Sequence, residues 1–124
     1  MEPYVLHAGE GRVYEWHGYV NVVKASQSET DGRLALIETI ANPGEDPPEH
    51  VHEDEDEMFF VLDGTVDFWC GGERLEARPG SFVFLPRQLP HSYTVTSDGP
   101  TRLLILTSPS HFGARIERDG HRLR

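Results

Sequence analysis

The sequence has little cysteine, little lysine and no long apolar run, and each shortage excludes a class of protein. Cys70 is the only cysteine among 124 residues, which excludes a fold held together by intrachain disulfides. Lys24 is the only lysine and leaves almost no support for Schiff-base chemistry. No apolar run could span a membrane, and the N-terminal residues lack the basic region and apolar core of a signal peptide. We therefore expect a cytoplasmic protein.

Negative charge is unevenly distributed along the chain. The net charge is −10, and eight of the 21 acidic residues fall between positions 45 and 57. Such a field repels nucleic acid and anionic membranes and favours the capture of cations. We therefore expect a small-molecule substrate, no nucleic acid and no membrane as partners, and we interpret these acids as a solvated loop with Glu57 as the exception. The absence of a cationic clamp also argues against a phosphorylated sugar and favours an uncharged or phenolic ligand.

Two histidines in this acidic stretch are candidate metal ligands. His50 and His52 are two residues apart, and side chains at this spacing share one face of an extended chain. Glu57 opens the apolar run Met58–Leu62, where a carboxylate is costly to bury without a cation or hydrogen bonds. His91 follows a second stretch marked by glycine and proline. Three imidazoles and one carboxylate form a ligand set that suits a divalent transition metal.

Many short strand-like segments separated by turns predict an all-β domain, a sandwich or a jelly-roll barrel rather than a parallel sheet. The length fits a single domain over residues 1–124, with N-terminal strands at 12–24 and a C-terminal tail at 108–124. Residues 110–124 show no clear period, and we expect a loose strand or disorder there. The predicted strands are Arg12–Trp16, Tyr19–Lys24, Leu34–Ile40, His50–His52, Met58–Leu62, Thr65–Cys70, Glu73–Ala77, Ser81–Leu85, His91–Val95 and Arg102–Thr107.

Two motifs give the chain a resemblance to the cupin superfamily, small β-barrels with a metal at their centre. The first motif is Gly, five residues, His-x-His, three or four residues, Glu, six residues, Gly. Every position is matched, by Gly44, His50, His52, Glu57 and Gly64. In the superfamily, the two histidine positions and the glutamate position of this motif hold metal ligands.

The second cupin motif is Gly, five residues, Pro-x-Gly, two residues, His, three residues, Asn. Gly80, Pro86 and the ligand His91 match it, whereas Gln88 and Val95 replace a glycine and an asparagine. Glycine at the position of Gln88 would permit a positive φ, so the turn geometry departs from the motif there. The resemblance covers about residues 33–107 and implies a single cupin-type jelly-roll barrel.

Within the superfamily the chain resembles the flavonol (quercetin) dioxygenase-like group. The segments that carry this resemblance are Glu38–Thr39, Pro43–Gly44, Glu57–Gly64, Phe84–Pro86, the Arg102–Leu104 strand ending in Thr107–Pro109, and Phe112–Gly113. The resemblance implies a metal-dependent dioxygenase that acts on a small phenolic, aromatic or enol-type substrate bound at the metal, with Glu57 as ligand and general base. One divalent ion is expected, of iron, manganese, nickel, cobalt, copper or zinc. Two alternatives stay open: a non-redox zinc-type isomerase or polyketide cyclase-like enzyme, and a metal-dependent module that binds or senses a small molecule.

Strand alternation gives candidates for the substrate pocket and for a subunit contact. Phe59 shares a face with Glu57 and Tyr93 shares one with His91, and Trp69 and Phe84 are further candidate aromatic walls, although the face of Trp69 stays open. In the Met58–Leu62 strand, Met58, Phe60 and Leu62 then point outward. Alternate residues of Leu103–Leu106 point outward as well. Another sheet, an N-terminal strand or a second subunit has to cover these faces, and we expect a homodimer.

Overall fold

The computed structural model describes all 124 residues and confirms an all-β jelly-roll fold. Two short helices accompany ten strands, and neither helix is long and apolar enough to cross a membrane. The elements in chain order are β1 Arg12–Trp16, β2 Tyr19–Ala25, α1 Gln27–Thr30, β3 Ala35–Ala41, β4 Asp56–Asp63, β5 Val66–Cys70, β6 Glu73–Ala77, β7 Phe82–Leu85, β8 His91–Val95, β9 Thr101–Ser108, α2 His111–Asp119 and β10 His121–Arg122.

The strands form two antiparallel sheets that enclose the core. The larger sheet has seven strands in the order β10-β1-β2-β3-β9-β4-β7, and the smaller has three in the order β6-β5-β8. Strict alternation along β3 and β9 buries every second side chain, as expected for strands with one covered face. The main core contains Phe59 and Leu103 from the larger sheet and Phe68 from the smaller one, each at most 2% exposed. Burial of such large apolar side chains is the main force that holds the two sheets together.

The Asp63-Gly64 turn between β4 and β5 needs its glycine. Gly64 has a φ of +78°, in the left-handed region that disfavours side chains. A Cβ atom at this position would lie 2.8 Å from the Cα atom of Thr101 and 2.9 Å from the carbonyl oxygen of Pro100. The glycine that closes the first motif therefore permits both the backbone conformation and the close approach of the turn to the start of β9.

All but one of the predicted strands are present, with ends that differ by at most two residues. The prediction of a strand at His50–His52 is wrong, because only His50 pairs, in an isolated antiparallel bridge with His91. Pro47 and Pro48 precede this segment, and proline has no N–H group for a sheet ladder. The acidic residues Glu53, Asp54 and Glu55 that follow lie in a loop, and β4 begins at Asp56.

The C-terminal segment is ordered, which corrects the expectation of a loose strand or disorder over residues 110–124. Helix α2 packs on the larger sheet through Ile116, which is fully buried beside Tyr14, Ala35 and Ile37. Strand β10 then pairs with β1 and forms one edge of the larger sheet. The helix has only nine residues, too few to show a clear period in the sequence, and its apolar face becomes evident only against its neighbours.

Candidate metal centre

The structure brings the four predicted ligands together at one point. The side-chain ligand atoms of His50, His52, Glu57 and His91 all lie within 4.8 Å of one another. His50 and His52 come from the loop between β3 and β4, Glu57 from the start of β4 and His91 from the start of β8. The site therefore lies where one end of the larger sheet meets the smaller sheet. Residues from separate parts of the chain converge because β4 and β8 both start at this end of the barrel.

Backbone hydrogen bonds hold the three histidines in place. The N–H of His50 donates to the carbonyl of His91 at 2.9 Å, and the N–H of His91 donates back at 2.8 Å. The carbonyl of His52 accepts a hydrogen bond from the N–H of Gln88 at 2.6 Å. Gln88 replaces the glycine of the second motif and keeps the conformation that glycine would permit, with a φ of +71°. The departure from the motif therefore leaves the turn that supports His52 intact.

A contact at the Nδ1 atom orients each imidazole ring, so that the Nε2 atom is the nitrogen left for other partners. The Nδ1 atom of His50 lies 2.9 Å from the carbonyl oxygen of Pro48, and that of His91 lies 3.2 Å from the carbonyl oxygen of Leu89. A carbonyl oxygen only accepts, so Nδ1 of His50 carries the proton and its Nε2 atom is free to bind a metal. The Nε2 atom of His91 faces a carboxylate oxygen of Glu57 at 3.0 Å. His52 is oriented by a carboxylate instead, because its Nδ1 atom lies 2.8 Å from an oxygen of Glu55.

Glu57 lies at the centre of the cluster and is almost fully buried. Its Oε1 atom is 2.9 Å from Nε2 of His52 and 3.0 Å from Nε2 of His91. Burial alone raises the pKa of this carboxyl group, but hydrogen bonds from the two imidazoles outweigh that effect and lower the pKa well below its ordinary value. Glu57 is therefore a carboxylate, as a metal ligand has to be.

The same contacts act on the histidines with opposite signs. Burial lowers the pKa of His52, but its hydrogen bonds to Glu55 and Glu57 outweigh this and raise the pKa to about 9. Burial lowers the pKa of His50 as well, and the carbonyl of Pro48 does not compensate, so His50 is neutral near pH 7. Without a metal, the buried charge of Glu57 is thus balanced by a proton on His52.

The donor set and its spacing fit a divalent transition metal. Metal–nitrogen and metal–oxygen bonds of about 2.1 Å place opposite ligands of one ion about 4.2 Å apart. The spread of 4.8 Å among the four side chains needs only a small contraction to reach this geometry. His50, His52 and His91 would supply imidazole nitrogen, and Glu57 would supply carboxylate oxygen.

A cavity of about 510 Å³ opens directly onto the four side chains. Phe59 and Tyr93 line it, as the alternation of their strands predicted. Trp16, Tyr19 and Phe112 add aromatic surface that the sequence analysis missed. A wider depression of about 1040 Å³ lies beside α1 and α2, but its walls are open and hold no cluster of metal-ligating groups. The cavity at the metal centre is therefore the candidate substrate site.

Two predicted pocket residues lie outside this cavity, and their assignment to its walls was wrong. Trp69 is 41% exposed on the outer face of β5, with the guanidinium of Arg74 over its ring at 6.0 Å. Phe84 is 50% exposed on the outer face of β7. In both strands the neighbouring residues are the buried ones, so alternation turns Trp69 and Phe84 away from the core.

The sequence analysis also misjudged or missed several side chains around the site. Glu55 was interpreted as a solvated loop acid, yet it is only 1% exposed. Asn21 and Thr39 line the cavity as directly opposed residues of β2 and β3, each 1% exposed. Each could have been recognised in the sequence as a polar residue at an inward strand position whose inward neighbours are apolar. Trp16 and Phe112 lie outside the two motifs, and neither was predicted to line the cavity.

Comparisons with known proteins agree with this geometry. The Cupin domain family matches residues 37–107. The quercetin 2,3-dioxygenase of Bacillus subtilis is 32% identical over 95 residues, which are 77% of this chain but only 28% of that protein. The chain therefore spans less than a third of that relative's length.

Solved structures of low sequence identity share the fold. A protein described as a predicted oxalate decarboxylase, from Thermotoga maritima, superposes with a TM-score of 0.76 at 18% identity, over 86% of this chain and 99% of its own. The polyketide cyclase RemF from Streptomyces resistomycificus superposes with a TM-score of 0.72 at 20% identity, over 86% of this chain and 80% of its own. The same fold thus occurs in proteins with different activities.

Proposed function

This chain belongs to the cupin family, and on that premise we propose that it is a metal-dependent dioxygenase for a small phenolic or enol-type substrate. The observation that carries the proposal is the convergence of three imidazoles and Glu57 beside an aromatic-lined cavity. The similarity to a quercetin dioxygenase supports the choice of reaction. When bound, a divalent transition metal supplies a Lewis acid that lowers the pKa of a substrate hydroxyl and, if redox-active, a route for electrons to oxygen.

In this proposal Glu57 receives the proton of the substrate hydroxyl. The carboxylate is buried at the cavity, where a substrate oxygen held at the cluster is within reach. Its hydrogen bonds from His52 and His91 make it a weak base in the metal-free protein. The positive charge of a bound metal would also favour the carboxylate form of Glu57. Proton transfer to Glu57 would therefore depend on the same metal lowering the pKa of the substrate hydroxyl.

The cavity walls favour a flat, uncharged and oxygenated substrate. Phe59, Tyr93 and Trp16 offer aromatic surface for a ring. The hydroxyl of Thr39 donates to Oδ1 of Asn21 at 2.8 Å, and the Asn21 amide nitrogen donates one N–H to the carbonyl oxygen of Tyr19 at 3.5 Å. Its second N–H can donate to a substrate oxygen. Burial raises the pKa of Tyr19 to about 12, so its hydroxyl also stays protonated at neutral pH. The walls contain Arg115 but also acidic side chains, which disfavours an anionic substrate.

Oxygen consumption tests the reaction. Protein reconstituted with iron, manganese, nickel, cobalt or copper should consume oxygen when supplied with a member of a panel of flavonols, catechols and enols. Zinc-loaded protein is the matched control, because zinc has no redox chemistry and should give no uptake with the same substrates. Absence of uptake with every redox-active metal across the panel would contradict the dioxygenase.

A second candidate is a non-redox isomerase or cyclase-like enzyme. It is favoured by the nitrogen and oxygen donor set, which suits zinc, and by the fold shared with a polyketide cyclase. Conversion of a substrate by zinc-loaded protein without oxygen would identify this activity. Ligand binding with no turnover under any condition would instead indicate a binding or sensing module.

We also propose a homodimer, formed through an outward apolar face of the larger sheet. This aromatic face consists of Met58 and Phe60 on β4, Phe82 and Phe84 on β7, and Leu104 on β9. Phe82 is 63% exposed and Phe60 is 42% exposed, although large apolar side chains are usually buried. Residues Phe60 and Phe82 are direct cross-strand neighbours, so their rings form one continuous patch.

The charges around the aromatic face favour a second copy of the same chain. Arg102 pairs with Glu38 at 3.1 Å on one side, and Arg87 pairs with Asp56 at 3.1 Å on the other. These four charges sum to zero, whereas the whole chain carries −10, so copies meeting elsewhere would repel each other more strongly. A two-fold contact also lets each patch cover the other.

Phe82→Glu is expected to convert the dimer into a monomer, because it introduces a charge at the most exposed side chain of the aromatic face. Light scattering coupled to size-exclusion chromatography should give twice the 14.0 kDa chain mass for the wild type and the single mass for the variant. Trp69→Glu is the control, since it alters an exposed aromatic residue on the other sheet and should leave the dimer intact. A monomeric wild type, or a variant that remains dimeric, would contradict the proposed contact.

A further inference from the structure

Glu55 is a buried carboxylate outside the set of four candidate ligands. Its side chain is 1% exposed, less than the 6% of Glu57. A buried carboxylate is costly unless charged or hydrogen-bonding groups compensate it, so its position needs a reason. The compensation comes from two directions, namely the metal centre and helix α2.

The two oxygen atoms of Glu55 together contact the metal centre and helix α2. Its Oε1 atom lies 2.8 Å from Nδ1 of His52 and 3.4 Å from a guanidinium nitrogen of Arg115. Its Oε2 atom accepts a hydrogen bond from the backbone N–H of Phe112 at 2.7 Å. That N–H belongs to the first turn of α2, where no partner exists within the helix and negative charge is favourable. One side chain thus connects a candidate metal ligand with the start of a helix.

Helix α2 in turn forms part of the cavity wall. Phe112 and Arg115 both line the cavity, and Phe112 packs against both apolar clusters of the barrel. The ring of Phe112 lies 6.2 Å from that of Trp16, another wall residue. A shift of Glu55 would therefore be transmitted to the substrate site as well as to His52.

We propose that Glu55 is a positioning residue that directs Nε2 of His52 to the metal and ties α2 to the occupied site. The inference rests on the metal-binding part of the proposed function and is independent of the reaction. With His52 fixed by Glu55, metal binding and the ordering of the α2 wall form one cooperative unit. Partners that orient a ligand imidazole typically change metal affinity about 10- to 100-fold when removed.

Glu55→Gln tests this role with little change in shape. A glutamine side chain has one oxygen and one NH₂ group, so it can accept from His52 or from Phe112 but not from both. Glu49→Gln is the matched control, because it makes the same change at an exposed acid of the same loop that does not line the cavity. Cobalt titration followed by visible absorption measures affinity, and the absorption bands report the ligand geometry. Hydrogen exchange of residues 111–119 measures the order of α2 with and without cobalt.

The proposal predicts three results together. Glu55→Gln should bind cobalt about 10- to 100-fold more weakly, with altered absorption bands, while Glu49→Gln behaves as the wild type. Cobalt should protect α2 from exchange in the wild type and should protect it less in Glu55→Gln at saturating metal. Unchanged affinity and bands in Glu55→Gln would overturn the proposal even if the variant were less stable. A wild type that binds no cobalt would overturn the metal site itself and this inference with it.

Discussion

Glu57→Gln is expected to weaken the binding of a divalent transition metal by more than about a hundredfold and to abolish turnover. The substitution keeps the shape of the side chain but removes the only charged ligand from a cluster whose other members are neutral imidazoles when metal is bound. Elemental analysis after dialysis and the metal-induced rise in Tm measure the loss. A metal present at a hundred times its Kd stabilises a protein by about 2.7 kcal/mol, so the wild-type shift should be readily visible.

The fold should survive this change. Glu57 is at the cavity end of β4, while the apolar core of that strand is built by Phe59 and Val61. His50→Ala should behave in the same way, because His50 is held mainly through its backbone bridge to His91. Glu49→Gln, at an exposed acid of the same loop that does not line the cavity, should retain wild-type metal content and activity. Full metal content and turnover in Glu57→Gln and His50→Ala would contradict the assigned ligands.

Metal binding is expected to release about one proton per ion near pH 7, and the apparent affinity should rise about tenfold per pH unit up to about pH 9. In the metal-free protein, hydrogen bonds to Glu55 and Glu57 outweigh burial and raise the pKa of His52 to about 9. Below that pH a metal has to displace the proton from His52, and above it no proton needs to leave. His50 adds no proton, because burial lowers its pKa and keeps it neutral.

Calorimetry in two buffers with different ionisation enthalpies counts the released protons at one pH. Competition with a chelator of known pH dependence then gives the affinity at pH 7, 8 and 9. Glu57→Gln cannot serve as a control here, since it removes a ligand. His7→Ala changes an exposed histidine near the N-terminus, distant in sequence from the ligands, and should leave the proton count unchanged. A flat affinity between pH 7 and pH 9 with no proton release would show that His52 is already neutral.

The sequence was most informative where spacing along one chain segment carries the geometry. The pair His50 and His52, the carboxylate at the root of β4 and the histidine at the start of β8 could all be identified from their motifs. Phe59 and Tyr93 followed from alternation, because a ligand on the same strand shows which face is inward. Strand positions were also accurate, since glycine-marked turns such as Asp63-Gly64 separate them clearly.

Prediction failed where a residue's role depends on what packs against it. Alternation shows that Trp69 opposes Phe68 and that Phe84 opposes Val83, but not which of each pair faces the core. Glu55 was one acid among many in a charged loop, and nothing local distinguishes it from its exposed neighbours. Its burial becomes evident only when α2 brings the N–H of Phe112 to meet it.

The sequence by itself determined the cupin-type barrel, the four candidate ligands and the turns that join the strands, because these follow from local spacing and backbone conformation. Tertiary structure alone decided the cavity walls, the burial of Glu55 and the order of residues 110–124. Each of these needs contacts between segments far apart in the chain, such as Ile116 with Ile37 or Glu55 with Phe112. Burial is a property of the assembled molecule, and no local pattern contains it.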